Sequence, residues 1–204
     1  IIKIDNPVIS KKIKILSNEK IDNEDLHIFE KKVFCSIGRL TRQKNYLELI
    51  KAFEIYSKKN HNNSNLIILG EGEEKQMLKK YLSQKKIINC YLLGFKKNPY
   101  RYLSRSSLYI SSSLWEEPGH TLVEAGYLNV PILSSDCPNG PKEIITHNNN
   151  GFKYKMKNIK DLEYNLSKIS KLTENNLFKI KLNMKKRTST FTEYYFSKKI
   201  KDYL

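Results

Sequence analysis

The sequence is poor in cysteine and acidic residues, and it lacks any long hydrophobic run. Its three cysteines are an odd number and form neither a Cys-x-x-Cys pair nor a cysteine–histidine cluster, which argues against a disulfide framework and a zinc site. Cys35 and Cys90 fall within apolar segments, where we expect small buried side chains. The longest apolar runs, such as residues 65–70, are strand-sized and far below the roughly 20 residues of a membrane-spanning helix.

The shortage of acidic residues gives the chain a net charge of +16, from 37 Lys and Arg against 21 Asp and Glu. Residues 153–204 carry 14 basic and 5 acidic residues, so +9 of this charge lies in the last quarter. A solvated Lys-rich surface explains much of it. A basic end could also lie against anionic lipid headgroups. Nucleic-acid binding is not expected, because no helix-turn-helix, zinc-finger or RNP-type aromatic pattern is present.

The beginning of the chain has no signal-peptide pattern and starts with Ile rather than Met. We therefore expect a piece of a longer, cytoplasmic protein. A hydrophobic content of 39% is enough for a packed core.

After residue 30, short apolar runs alternate with amphipathic segments. The runs at residues 33–37, 66–69, 90–93, 108–111, 131–134 and 152–154 predict strands, and the segments between them predict helices. Near-continuous apolar strands separated by helices are typical of a parallel sheet covered on both faces. We therefore predict an α/β, Rossmann-like doubly wound parallel sheet of about six strands.

The two ends of the chain have different patterns. Residues 1–30 are polar and weakly patterned, and we predict a linker from a preceding domain. Residues 31–157 form the predicted Rossmann-like domain. Residues 158–204 predict only helices, at roughly 158–172, 174–187 and 192–203.

The first strand is followed by the sequence GRLTRQKN at residues 38–45, directly before a helix. Gly38 permits a tight turn close to a ligand. Arg39 and Lys44 place two cations beside a helix N-terminus, which itself favours anions. This combination predicts a diphosphate clamp, although surface cations in a Lys-rich chain are an equally simple explanation.

The fourth strand is followed by SSSLWEEPGHTLVEA at residues 111–125, in which Glu116 and Glu124 are eight positions apart. A carboxylate accepts two hydrogen bonds at once, which suits a ribose diol or a pair of sugar hydroxyls. The amides at the helix start suit a phosphate. Ordinary helix capping explains Glu116 and Glu117 equally well.

These elements together resemble the large family of retaining glycosyltransferases with the GT-B fold, commonly numbered family 4. The resemblance rests on GRLTRQKN, on the LGEGE at residues 69–73, on the Glu-x7-Glu pair and on the small-residue segment 129–143. It runs from about Val33 to Phe152. It implies that this chain is the C-terminal, nucleotide-sugar-binding half of such an enzyme.

The resemblance also implies roles for individual residues. Arg39 and Lys44 would hold the donor diphosphate, Glu116 would face the transferred sugar, and Glu124 would bind the ribose hydroxyls. The other implied donor-binding residues are Gly38, Gly94, Phe95, Gly119, His120, Thr121 and Leu122. One departure is the Glu-Pro-Gly at residues 117–119, where many members have Gly-Phe-Gly, which leaves the loop conformation and sugar preference open.

The activity implied is transfer of a hexose from a nucleotide-diphosphate sugar, with UDP as the commoner choice, without a metal or other cofactor. The acceptor would be a glycan or lipid-linked molecule in surface polysaccharide or lipopolysaccharide synthesis, at the inner face of the cytoplasmic membrane. The acceptor domain would precede residue 1, so the chain alone is expected to be inactive. We also expect the last helix to have lost its packing partner and to expose aromatic side chains, namely Phe191, Tyr194, Tyr195 and Phe196.

Three other functions remain open. A nucleotide-sugar epimerase of the same fold would need further acid–base residues, for which only His120 and Asp136 are candidates. A dinucleotide-dependent redox enzyme is disfavoured because no GxGxxG follows the first strand. A non-enzymatic, basic nucleic-acid-binding module is the third alternative.

Overall fold

The computed structural model describes residues 4–202, which contain one six-stranded parallel sheet with the order β3-β2-β1-β4-β5-β6. The strands are β1 (Lys32–Ile37), β2 (Ser64–Leu69), β3 (Cys90–Gly94), β4 (Leu108–Ser111), β5 (Ile132–Ser135) and β6 (Phe152–Tyr154). The predicted Rossmann-like sheet is confirmed, and each predicted strand lies within a residue or two of its observed position.

Helices connect the strands and form the C-terminal part of the chain. They are α1 (Lys11–Ser17), α2 (Tyr46–Lys59), α3 (Lys75–Gln84), α4 (Tyr100–Leu103), α5 (His120–Tyr127), α6 (Gly140–Ile144), α7 (Ile159–Ser170), α8 (Glu174–Thr188) and α9 (Glu193–Lys201). Short 3-10 segments occur at Asn23–Glu30, Arg42–Lys44 and Ser189–Phe191. The predicted helical tail is thus present, and its predicted residue 203 lies outside the described residues.

Both faces of the sheet are buried, which explains why the strands read as continuous apolar runs. Alternate side chains of one strand enter opposite cores. In β1, Phe34 packs with α2, α3 and α7, whereas Val33 and Cys35 pack with α1, α4, α5, α6 and α8. The sheet is therefore doubly wound, as predicted.

The N-terminal segment, predicted as linker, contains regular structure where it is described. Helix α1 and the 3-10 segment bury isolated apolar side chains against the sheet, including Ile13 and Ile28, which are 4% and 1% exposed. The segment also contacts the C-terminal part, because the Val8 amide donates to the Phe191 carbonyl oxygen (2.8 Å). Arg187 pairs with Asp5 (2.6 Å). Whether residues 1–30 connect to a preceding domain stays a prediction.

The aromatic patch expected on the last helix is only partly present. Phe191 is buried, at 7% exposure, and stacks under the Arg187 guanidinium at 4.5 Å, so including it was wrong. Tyr194 is 76% exposed, while Tyr195 and Phe196 are half-buried. The short N-terminal segment supplies the contacts that cover Phe191.

All three cysteines are free and buried, which confirms that Cys35 and Cys90 are small core side chains. Burial raises the pKa of the Cys35 thiol to about 12. Because a thiolate is the reactive form, we expect no cysteine to react with dithiobis-nitrobenzoate until the protein unfolds. Absorbance during reaction with and without denaturant measures this, and rapid release of one equivalent from the native protein would contradict it.

Within residues 4–202, no helix is both long enough and apolar enough to cross a bilayer.

Candidate functional site

The loops that follow the strands meet along one rim of the sheet. Parallel strands end on the same side, and the register pairs Ile37 at the end of β1 with Leu69 at the end of β2. Ligands of open α/β sheets bind at this rim. The charged residues singled out from the sequence follow β1 and β4, which are adjacent in the sheet.

Two glycines allow the loop after β2 to pack directly on the loop after β1. A Cβ atom on Gly70, which has φ +143°, would lie 2.0 Å from the Gly38 carbonyl oxygen, and one on Gly72 would lie 2.4 Å from the Leu40 carbonyl oxygen. The Leu40 amide in turn donates to the Glu71 carbonyl oxygen (2.8 Å). The LGEGE sequence therefore supports the conformation of the first loop.

Arg39 stands at the edge of a cavity formed by these loops. The cavity has a volume of about 420 Å³ and is lined by residues after the first three strands, namely Ile37, Gly38, Arg39, Leu69, Gly70, Glu71, Phe95, Lys96 and Pro99. The Arg39 side chain is exposed, and it makes no hydrogen bond or ion pair with any residue in the described range 4–202. The Phe95 ring is 76% exposed. A free guanidinium thus lies beside a mainly apolar cavity.

Lys44 and Glu116 form a salt bridge between the first and fourth loops. The Lys44 ammonium contacts both carboxylate oxygens of Glu116, at 2.8 and 2.7 Å. The buried Ser113 hydroxyl also donates to Glu116 Oε2 (2.6 Å). The Lys44 and Glu116 side chains are only 17% and 13% exposed. Three hydrogen bonds therefore hold the Glu116 carboxylate in place.

Further hydrogen bonds join the same two loops. The Ser112 hydroxyl donates to the Lys44 carbonyl oxygen (2.7 Å), and the Leu114 amide donates to the Gln43 carbonyl oxygen (2.8 Å). The Gln43 side-chain amide donates to the Trp115 carbonyl oxygen (2.9 Å). The position of Lys44 relative to Glu116 is thus fixed by the main chain as well as by the salt bridge.

Helix α5 begins beside this salt bridge. Gly119 adopts φ +81° at its N-cap, and a Cβ atom there would lie 3.6 Å from Glu116 Cγ. His120 is exposed and Thr121 half-exposed. Leu122 differs from these residues, because its side chain is buried and its amide donates to the Gly119 carbonyl oxygen (3.0 Å). A ligand would have to share that hydrogen bond.

Glu124 lies one turn further along α5. The Tyr100 hydroxyl donates to Glu124 Oε1 (2.9 Å). Burial raises the pKa of Glu124, while the Tyr100 hydrogen bond and the charge of His120 act in the opposite direction. This carboxyl is therefore costly to ionise without its neighbours.

The predicted residues thus form three connected groups. Gly38 lies close to Lys44, since a Cβ on Gly38 would be 2.8 Å from Lys44 Cε, and Lys44 leads to Glu116 and Gly119. Gly38 also lines the Arg39 cavity with Phe95, and Gly94, at φ +71°, approaches Glu71 beside it. Glu124, Tyr100 and His120 form the third group.

Sequence analysis did not single out Ser113 or Tyr100. Ser113 lies three positions before Glu116, and a search for hydroxyls within a turn of a predicted acidic site could have found it. Tyr100 is 24 positions from Glu124, and nothing in the local sequence indicates their contact.

A separate acidic cluster joins the N-terminal segment to the loop after β3. Ligand oxygens of Asp22, Glu24 and Asp25 lie within 4.8 Å of one another, a separation that suits a metal ion. The Lys96 ammonium lies 3.0, 3.5 and 2.7 Å from them, respectively. Lys96 therefore supplies the positive charge, and the cluster is a salt-bridge network.

Comparisons with known proteins agree with this geometry. The sequence pattern of the family described as "Glycosyl transferases group 1" matches residues 17–189. An uncharacterised glycosyltransferase of Methanocaldococcus jannaschii is 43% identical over 136 residues, covering 66% of this chain and 33% of that protein. The poly(ribitol-phosphate) alpha-N-acetylglucosaminyltransferase of Staphylococcus aureus is 29% identical over 176 residues, covering 86% of this chain and 35% of that protein.

A solved structure gives the same result. The crystal structure of a mutant of S. aureus TarM in complex with fondaparinux, alpha-GlcNAc-glycerol and UDP superposes with a TM-score of 0.74 at 25% identity. The match covers 84% of this chain and 34% of that one. The chain thus spans about a third of the length of the curated relatives it matches.

Proposed function

The chain belongs to the family of glycosyl transferases group 1, and we propose that it is the donor-binding half of a retaining glycosyltransferase. The donor is a nucleotide-diphosphate sugar, UDP-linked in the first instance, and the sugar transferred is a hexose. The observation that carries this proposal is a free cation at the rim cavity, Arg39, next to a second cation, Lys44, that is held beside Glu116.

The donor lies across the three groups of the rim. The base enters the cavity beside Phe95 and Gly94, where most lining groups are apolar. The ribose hydroxyls bind Glu124, and the diphosphate lies between Arg39 and the start of α5. The sugar then faces Glu116. The remaining predicted contacts are to Gly38, Lys44, Gly119, His120, Thr121 and Leu122.

Arg39 and Lys44 stabilise the charge that develops on the departing diphosphate. In front-face displacement the acceptor hydroxyl oxygen forms the new bond to the anomeric carbon as the bond to the phosphate oxygen breaks. The acceptor proton passes to that phosphate oxygen, and the configuration is retained. The protein mainly positions the two substrates. Because the chain's own cations serve the diphosphate, we propose that no metal ion is needed.

The acceptor belongs to a domain outside this chain, which faces the rim from the other side of a cleft. We propose a glycan or lipid-linked acceptor of surface polysaccharide synthesis, reached at the inner face of the cytoplasmic membrane. The S. aureus relative is named for a poly(ribitol-phosphate) acceptor, and the +16 charge of this chain would favour such an anionic polymer. The chain without that domain binds the donor but does not transfer the sugar.

Calorimetric titration with UDP, GDP, TDP and ADP tests the donor site. One diphosphate should bind selectively, and Arg39→Ala should weaken its binding about 10- to 100-fold, since a hydrogen-bonded charge contributes about 1.5–3 kcal/mol. Arg42→Ala is the matched control, because Arg42 is an exposed cation in the same loop that does not line the cavity.

Equal losses from Arg39→Ala and Arg42→Ala would indicate general attraction to a basic surface and would contradict the assigned site. Failure of all four diphosphates to bind would overturn the proposal. Binding of nucleic acid that falls steeply with salt would then favour the basic binding module instead.

A further inference from the structure

The main chain at Tyr100 is anchored to the N-terminal segment. Tyr100 begins the short helix α4, and its amide donates to the Asn98 side-chain oxygen (3.2 Å). The Asn98 side-chain nitrogen donates to the Leu16 carbonyl oxygen (2.9 Å) and to Glu19 (2.8 Å). Asn98 is 7% exposed, so this arrangement is largely shielded from water. The start of α4 therefore has a fixed position beside the rim.

From that position the Tyr100 side chain reaches helix α5. Its hydroxyl lies 2.9 Å from Glu124 Oε1. Glu124 Oε2 accepts no hydrogen bond from residues 4–202, and it is not among their fully buried, unpartnered oxygens. One carboxylate oxygen is thus held by the protein, and the other remains open to a ligand.

The partly buried surroundings make this hydrogen bond more important than one on an open surface. Burial opposes ionisation of Glu124 and raises its pKa, and the Tyr100 hydrogen bond is the first of the two effects that lower it again. The second is the charge of His120, on α5 itself. Burial and the nearby carboxylate also raise the pKa of Tyr100, so the hydroxyl remains protonated and can donate.

We propose that Tyr100 is a positioning residue for donor binding, which fixes the Glu124 side chain and keeps it ionised so that Oε2 can accept a ribose hydroxyl. This inference rests on the proposed donor site. Tyr100 acts through Glu124 and has no role of its own in the chemical step.

The test is calorimetric titration of the full chain with UDP, or whichever diphosphate the wild type selects. Tyr100→Phe keeps the ring and removes only the hydroxyl, and it should weaken binding about tenfold. Tyr81→Phe is the matched control. Tyr81 also pairs with a carboxylate, Glu54 (3.4 Å), but on the opposite face of the sheet, and its loss should leave binding unchanged.

A double-mutant cycle separates positioning from a general structural effect. In a Glu124→Gln background, Tyr100→Phe should cause no further loss, because the group it acts through is no longer a carboxylate. The pH dependence gives a second readout. Binding needs ionised Glu124, so affinity falls as pH falls through its pKa. Loss of the Tyr100 hydrogen bond raises that pKa, so in Tyr100→Phe the fall should begin at a higher pH.

Unchanged affinity and pH profile in Tyr100→Phe, with the wild type binding normally, would overturn this inference and leave the proposed function intact. Equal losses in the wild-type and Glu124→Gln backgrounds would also overturn it. If the wild type binds no diphosphate, the donor site itself is wrong and the inference falls with it. Circular dichroism and thermal unfolding of each variant confirm that all are folded.

Discussion

Replacement of Lys44 by Met should lower the free energy of unfolding by about 2 kcal/mol and abolish measurable nucleoside diphosphate binding. The substitution leaves the Glu116 carboxylate, which is 13% exposed, without its positive partner. A buried charge that loses its partner is strongly destabilising, at about 3–5 kcal/mol when burial is complete. The remaining exposure of this pair and the Ser113 hydrogen bond reduce the expected effect.

Urea unfolding, followed by circular dichroism, measures the stability change. The matched control is Lys58→Met, because Lys58 forms an equally short salt bridge with Glu54 (2.7 Å) but is 69% exposed. Its loss should cost less than about 0.5 kcal/mol. If the two substitutions have the same effect, the burial of Lys44 contributes nothing to stability.

The double variant Lys44→Met/Glu116→Gln separates stability from ligand binding. The amide that replaces the Glu116 carboxylate is neutral and still offers an oxygen to the Ser113 hydroxyl, so most of the lost stability should return. Diphosphate binding should not return, because the cation is still missing. Recovery of both properties would show that Lys44 matters only to the fold.

Gly70→Ala is expected to destabilise the protein by about 3 kcal/mol and to weaken diphosphate binding. The added methyl group would lie 2.0 Å from the Gly38 carbonyl oxygen, and Gly70 has φ +143°, which an L side chain rarely adopts. The Gly70 amide also donates to the Gly94 carbonyl oxygen (2.8 Å). Any shift that relieves the clash therefore moves the loops that line the Arg39 cavity.

Urea unfolding and calorimetric titration of the same samples test both effects. Gly151→Ala serves as the control, because its added methyl group would come no closer than 3.1 Å to a side-chain atom, Ile145 Cγ2. We expect that substitution to cost about 1 kcal/mol or less and to leave binding unchanged. Equal stability of the Gly70 and Gly151 variants would contradict the close packing of the two loops.

Much of the site follows from local sequence, because parallel strands end on the same rim. Once β1 and β4 are recognised, the segments after Ile37 and Ser111 must lie at that rim, and the charges of Arg39, Lys44 and Glu116 come with them. The glycines at 70 and 72 can also be understood from the sequence, as positions where another backbone approaches closely.

Other features could not be predicted from local patterns. Residues 4–30 contain too few apolar side chains for a recognisable period, yet Ile9, Ile13, Ile21 and Ile28 are each buried singly against the sheet. The same packing covers Phe191, which a sequence-based view leaves exposed. Burial of single residues depends on neighbours that are distant along the chain.

The sequence by itself determined the strand–helix alternation, the doubly wound sheet and the set of charged residues at its rim, because each follows from periodicity or from the strand that precedes a loop. Tertiary structure decided how those residues pair. Lys44 meets Glu116 across 72 positions because the order of the sheet places β1 beside β4. Tyr100 meets Glu124 because Asn98 fixes α4 against the N-terminal segment. Hydrogen bonds and ion pairs require contact within a few ångströms, and only the packing of the helices on the sheet brings these atoms that close.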